Sequence, residues 1–171
     1  KYIEKFIFKK ANFVIAPNRD NLKYALNNGV KIKNSKIIRY GNLIHKSHLI
    51  NPKLRIKKNY FKKEFDISSH FKILIYVGRL EKVKRVIDLV EIMKNLNDKS
   101  IKLLVVGTGS LEKRIKEITQ IESLDKQILL VGEKDQNWLS KCLPNCSCFI
   151  ATHTGRALAE ASFAGLPVAG Y

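Results

Sequence analysis

Three short stretches of this chain carry residue types that could do chemistry, and each follows a run of apolar residues. After Lys72 to Val77 comes Gly78-Arg79, with Lys84 five positions beyond the arginine. Arginine offers a planar fork of donors and lysine a compact point charge, so the two can share one anionic group, and a diphosphate is a natural guest. Placed in the first turn of the following helix, Lys84 would act beside a helix N-terminus, which itself attracts anions. The competing reading is two solvated cations in a lysine-rich chain. After Ser147 to Ala151 comes Thr152-His153-Thr154-Gly155-Arg156-Ala157, with Glu160 one helical turn further on. Gly155 permits a tight turn. The backbone N–H groups of Gly155, Arg156 and Ala157 open a helix and can receive phosphate. A carboxylate at Glu160 can accept both hydroxyls of a ribose, or pair with Arg156 four residues earlier. His153 stays open between a polar loop residue, a sugar contact and an acid–base group. The third stretch, Gly107-Thr108-Gly109-Ser110, begins like a dinucleotide fingerprint, but Glu112 stands in the place of the third glycine and no Walker lysine is present. It is expected to be a tight strand-to-helix turn capped by Ser110.

These stretches need elements to hold them. Ala11 to Ala16 reads as a short buried strand, a helix starts at Asn18-Arg19-Asp20 and ends at Gly29, and Lys36 to Tyr40 reads as a second strand. A basic, irregular stretch with Pro52 runs to about residue 70, with a short helix at Tyr60 to Phe65. From Lys72 the pattern is regular. Lys72 to Val77, Ile101 to Val106, Gln127 to Val131, Ser147 to Ala151 and the segment from Pro167 read as strands, the first apolar on both faces. Between them Val86, Leu89, Val90, Met93 and Leu96 mark one helix stripe, and Leu111, Ile115 and Ile118 another. Asn137 to Leu143 is a short helix stopped by Pro144, and Arg156 to Phe163 a helix ended by Gly165. Strands alternating with helices imply a parallel sheet covered on both faces, with ligands bound outside the carboxyl ends of the strands.

Composition sets limits. Hydrophobic residues make up 45% of the chain, enough for a core, and no apolar run is long enough to span a bilayer. The first ten residues alternate charged with apolar side chains and lack the pattern of a signal peptide. Cys142, Cys146 and Cys148 read as reduced, mostly buried thiols; a metal site would want a second cluster of ligands, so no metal is expected. The formal net charge is +17, which draws anions of any kind. Lys53, Arg55, Lys57, Lys58, Lys62 and Lys63 fall together with no acid among them. That cluster reads first as a solvated face, then as a contact for an acidic membrane surface. With no accompanying motif, nucleic acid is not an expected partner.

In this order and on this alternation, the motifs resemble glycosyltransferase family 4, the group 1 retaining transferases of the GT-B fold. The resemblance rests on YVGRLEKVKR at 76–85, LLVVGTGSLEKRI at 103–115 and above all THTGRALAEASFAGLPVAGY at 152–171, with ANFVIAPNRDNLKYALNNG at 11–29 and IIRYGNLI at 37–44. It implies an α/β, Rossmann-like parallel sheet with helices on both faces, the C-terminal half of a GT-B fold truncated at both ends. Residues 1–45 would be a remnant of the N-terminal acceptor domain with its crossover, and 46–171 an incomplete nucleotide-sugar-binding domain. The implied activity moves a sugar from a UDP- or GDP-sugar to a glycan, lipid or small-molecule acceptor with retention, without metal or other cofactor. This chain alone would be inactive. Arg79, Lys84 and Glu160 would be the catalytic set, the two cations on the diphosphate and the glutamate on the ribose. Gly78, Val131, Gly132, Glu133, Thr152, His153, Thr154, Gly155, Arg156, Ala157 and Leu158 would contact the donor, with Val131 to Glu133 near the base. The implied location is the cytoplasm, with peripheral contact at the inner face of the membrane.

Two departures stand out. Thr152 occupies the place of a glutamate that in the family contacts the donor sugar, and Arg85 stands where a glycine is common. The alternatives are a non-catalytic nucleotide- or anion-binding module of the same fold, a basic membrane-surface or nucleic-acid-binding protein, and an epimerase or phosphorylase of the same fold.

Overall fold

The computed structural model describes residues 2–38 and 59–170. The chain divides into two compact units, Lys1–Leu43 and Ile44–Tyr171. Pro52 and the basic cluster at 53–58 lie outside the described residues, as does the end of the strand expected at 36–40.

In the first unit, helix α1 (Tyr2–Lys10) is followed by strand β1 (Val14–Ala16), helix α2 (Arg19–Asn27) and strand β2 (Ser35–Ile37). The strands pair in parallel, Val14 opposite Ser35 and Ala16 opposite Ile37. Asn18 caps α2 as its side-chain type dictates, its Oδ1 accepting from the Asn21 N–H at 2.8 Å. Gly29 takes φ +105 beyond the helix end, where glycine meets no penalty. Helix α1 was not foreseen. Its charge alternation hides apolar residues at 2, 3, 6 and 7, which suits a helical stripe. Phe8 meets Tyr24 edge to face at 6.0 Å, and the Tyr24 hydroxyl donates to Glu4 at 3.1 Å.

The second unit holds α3 (Tyr60–Phe65), β3 (Lys72–Val77), α4 (Asp88–Leu96), β4 (Ile101–Val106), α5 (Glu112–Ile121), β5 (Ile128–Gly132), α6 (Gln136–Cys142), β6 (Cys148–Ala151), α7 (Arg156–Phe163) and β7 (Val168–Gly170). The strands form one sheet in the order β5-β4-β3-β6-β7, and every pairing is parallel. This is the α/β architecture with helices on both faces that the alternation of elements implies.

The pleat sorts side chains onto the two faces. Ile73, Ile75, Leu104, Val106 and Phe149 pack with Leu139, Cys142, Ala161 and Ala164, that is against α6 and α7. Leu74, Tyr76, Leu103, Val105 and Ile150 pack with Leu89, Val90, Met93 and Ile115, against α4 and α5. Burying residues of both parities along β3 explains why its sequence is apolar throughout.

Several local expectations change. The buried strand expected at 11–16 is only Val14–Ala16, with Phe13 54% and Ile15 60% exposed. Leu96 is 45% exposed, because α4 ends there and Asn97 turns left-handed at φ 44. The helix expected ahead of Pro144 does end there, at Cys142. The chain tightens into a 3-10 turn over Leu143–Asn145 with the proline at its start, where a missing N–H costs little. Lys84 is not in the first turn of α4. It closes a separate 3-10 turn, Lys82–Lys84, and Arg85 follows in the left-handed region at φ 53, which explains why a glycine would suit that position.

The glycines after β4 serve packing. Gly107 has φ +131, and a Cβ there would lie 2.0 Å from the Gly78 carbonyl oxygen; one at Gly109 would lie 2.5 Å from that of Leu80. The close approach allows backbone bonds from Leu80 N–H to Thr108 and from Leu111 N–H to Leu80. Gly107→Ala is therefore expected to destabilise the protein by about 2–3 kcal/mol, through strain and displacement of the 78–80 loop. Urea denaturation with an unchanged slope would measure it.

Candidate functional site

The chain runs from β3 outward to β4 and β5, then returns to place β6 on the other side of β3. Loops at the carboxyl ends of β3 and β6 therefore diverge and leave a crevice, the place where open parallel sheets bind ligands. Pairing between β3 and β6 covers Leu74–Cys148 and Ile75–Phe149 only, so the strands part before Val77 and Ala151.

A cleft of about 800 Å³ lies there, walled by Gly78, Arg79 and Glu81 from the β3 loop, Gly107 to Gly109 from the β4 loop, Glu133, Lys134 and Gln136 beyond β5, and Arg156, Ala157 and Glu160 of α7. Beside it is a hollow of about 140 Å³, lined by Lys84, His153, Thr154, Gly155 and Leu158 among others. Gly78, Val77, Arg156 and Ala157 border both. Arg79 and Lys84, expected to face one group, thus stand in adjoining compartments. The helix whose N-terminus lies at their border is α7. The start of α4 follows only after the 3-10 turn and Arg85.

Glu160 is the unusual group of the site. It is 2% exposed, one of three buried polar residues among those described. Arg156 Nε lies 2.9 Å from its Oε1, near enough for charge pairing, so the alternative pair four residues apart does form. Its N–H is not directed along that line, however, and Oε1 receives no hydrogen bond from any described residue. A buried carboxylate oxygen without a donor is costly unless something supplies one. Arg156 itself is half exposed.

The remaining candidates divide. His153 sits 3.4 Å from Lys84 Nζ through Nδ1, and the same nitrogen meets the Thr154 carbonyl. Facing a cation and a carbonyl, that nitrogen is not arranged as a carboxylate-primed base. Gly155 is extended, with φ 174, and has open space around its Cβ position, so the tight turn expected of it is absent. Of the three residues expected near a base, Glu133 lines the cleft. Val131 packs against the core, and Gly132 offers its carbonyl to the Gly107 N–H at 2.8 Å. Thr152 lines neither compartment. It is 2% exposed, and its hydroxyl donates to the Lys84 carbonyl at 2.6 Å.

Residues 57–171 match the family model described as glycosyl transferases group 1. The chain belongs to that family. It is 34% identical over 139 residues, 79% of its length, to an uncharacterized glycosyltransferase of Methanocaldococcus jannaschii, of which the match covers 33%. It is 36% identical over 75 residues to the N-acetyl-alpha-D-glucosaminyl L-malate synthase of Bacillus anthracis, covering 43% of this chain and 20% of that one. Among solved structures, Anabaena HepE in complex with UDP and glucose superposes with a TM-score of 0.77 at 16% identity, over 98% of this chain and 46% of that one. Sucrose-phosphate synthase from Thermosynechococcus elongatus gives 0.72 at 22%, over 99% and 43%. At these identities the structures speak to the fold alone. The chain spans at most about a third of the length of the curated relatives it matches. Among the described residues no helix is long and apolar enough to cross a membrane.

In this group 1 chain, sequence reasoning passed over Glu81. Its carboxylate accepts from the Ser110 N–H at 3.1 Å and the Ser110 hydroxyl at 2.6 Å. Ser110 thus clasps the β3 loop instead of capping α5, whose N-cap is Leu111. These two bonds, helped by Arg79, hold the Glu81 carboxyl below its ordinary value of 4.5. A carboxyl lowered in the folded state stabilises fully above its ordinary value, and loses that stabilisation as pH falls through the lowered one. Glu81→Gln is therefore expected to flatten part of the fall in thermal midpoint below pH 4.5, as read by melts between neutral pH and acid.

Proposed function

We propose that the cleft binds the nucleoside diphosphate of an activated sugar, and that the protein transfers the sugar to an acceptor with retention of configuration. The observation that carries this reading is Glu160. Its buried Oε1 lacks a hydrogen-bond donor, and it stands in a cleft whose opposite wall supplies Arg79. A ribose brings two hydroxyl donors to such a carboxylate, and the diphosphate attached to it brings the charge that Arg79, Lys84 and the first N–H groups of α7 can receive. HepE, which shares the fold, was solved with UDP and glucose; this supports UDP among the candidate nucleotides, beside GDP.

In the proposed reaction the bond between the anomeric carbon and the β-phosphate oxygen breaks, an acceptor hydroxyl oxygen forms the new bond, and the proton it loses passes to the departing β-phosphate oxygen. Negative charge grows on the departing diphosphate. Arg79 and Lys84 would stabilise that charge from the two adjoining compartments. No metal is assigned a part. Glu133, Lys134 and Gln136, which line the larger compartment beyond β5, would meet the base. Residues 1–45 are taken as part of an acceptor-side domain, and the site of action as the cytoplasm, at the inner face of a membrane where the acceptor is a lipid; the high positive charge suits that surface.

Thermal shift and calorimetry with UDP-, GDP- and ADP-sugars test the donor reading. One nucleotide class is expected to raise the melting midpoint, and indifference to all three overturns the assignment. Arg79→Ala should weaken binding of the nucleoside diphosphate itself. Glu160→Gln should weaken it about ten- to hundredfold, the range of a hydrogen bond to a charged group, and should abolish discrimination against the 2′-deoxy nucleotide. The anomeric configuration of the product, followed by NMR, tests retention.

A further inference from the structure

We infer that Thr152 is a positioning residue for Lys84 and not a contact for the transferred sugar; the inference rests on the donor reading. Each of the two cations has its own backbone carbonyl held by a buried hydroxyl. The Tyr76 hydroxyl donates to the Arg79 carbonyl at 3.3 Å, and the Thr152 hydroxyl to the Lys84 carbonyl at 2.6 Å. Tyr76 and Thr152 are 4% and 2% exposed and sit at the carboxyl ends of β3 and β6, the two strands that part around the crevice.

The turn that carries Lys84 needs such an anchor. It is a single 3-10 turn closed by local bonds, Lys84 N–H to Glu81 and Arg85 N–H to Lys82. It ends at Arg85 in the left-handed region, a conformation that costs a non-glycine residue energy. Val83 at its crest is 62% exposed. The Thr152 bond reaches this turn from 68 residues away and ties it to the sheet. Lys84 Nζ then lies 3.4 Å from His153 in the smaller compartment, next to the start of α7.

Thr152 itself has little to give a ligand. Its proton is committed to the Lys84 carbonyl, and burial pushes the ionisation of the Tyr76 hydroxyl up to about 12. Tyr76 therefore stays a neutral donor at physiological pH. A residue with this partner, outside both compartments, acts through the backbone of the residue it holds.

The test measures UDP and GDP affinity by calorimetry, with and without their sugars, in the protein and its Thr152→Val, Thr152→Ser, Lys84→Ala and Thr152→Val/Lys84→Ala variants. Thr152→Val is expected to weaken the nucleoside diphosphate about tenfold, and equally its sugar-bearing form; Thr152→Ser restores it, and in the Lys84→Ala background the valine adds no further loss. Should the valine variant not fold, Thr152→Cys, of similar size but a weak donor, takes its place. Unchanged affinity, a loss confined to the sugar-bearing form, or additive losses in the double variant overturns the inference and leaves the donor reading standing. Failure of the unsubstituted protein to bind either diphosphate overturns both.

Discussion

Everything in the candidate site depends on the point where β3 and β6 stop pairing. Two registered pairs hold the strands together, and beyond them each strand turns to its own neighbour, β4 on one side and β7 on the other. Backbone groups freed by that parting must find other partners or face a ligand. Two groups just past the strand find partners close by: the carbonyls of Arg79 and Lys84 take hydroxyls from Tyr76 and Thr152. The crevice is thus a gap in the hydrogen-bond ladder with its walls satisfied from behind, which leaves charged side chains free to point forward.

The wall on the β4 side is made rigid by close backbone contact. Gly107 and Gly109 bring their loop against residues 78–80 at distances no Cβ would allow, and the Glu81–Ser110 clasp closes the same seam from outside. On the α7 side the rigidity comes from burial of Glu160 beside Ala161 in the helix. Charge in the cleft is therefore mixed: cations at Arg79, Lys134 and Arg156 accompany Glu81, Glu133 and Glu160. The smaller compartment contains Lys84, Arg156 and His153 and no carboxylate among its lining residues. A ligand with a polar, neutral end and an anionic middle fits that division.

Much of this was legible in the sequence because its signals are local. Five runs of apolar residues between cap and turn residues gave β3 to β7 nearly to the residue, and post-strand loops pointed to Gly78, Arg79 and the Thr152–Glu160 stretch. Errors arose where distant parts of the chain decide. Spacing placed Lys84 in a helix; the one local sign of a left-handed turn, that a glycine is common at position 85, is masked by the arginine there. Ser110 looked like a cap because its competitor, Glu81, lies 29 residues away. The place of Thr152 came from the resemblance, and its hydrogen bond to the Lys84 carbonyl, 68 residues away, has no local signal. Helix α1 escaped notice because its lysines interrupt the apolar pattern.

The strand order also bears on how the molecule reaches its native state. β3, β4 and β5 are successive in sequence and neighbours in space, so each pairing closes a modest loop. The β3–β6 pairing joins residues 74 apart, and closing so long a segment costs more chain entropy before any contact repays it. The half-sheet β5-β4-β3 can therefore collapse on its own helices while β6, α7 and β7 dock later. Arg79 and Glu81 lie on the early half and Glu160 on the late one, so a ligand that grips both favours only the completed sheet, and in its presence the last step of folding becomes the hardest to undo.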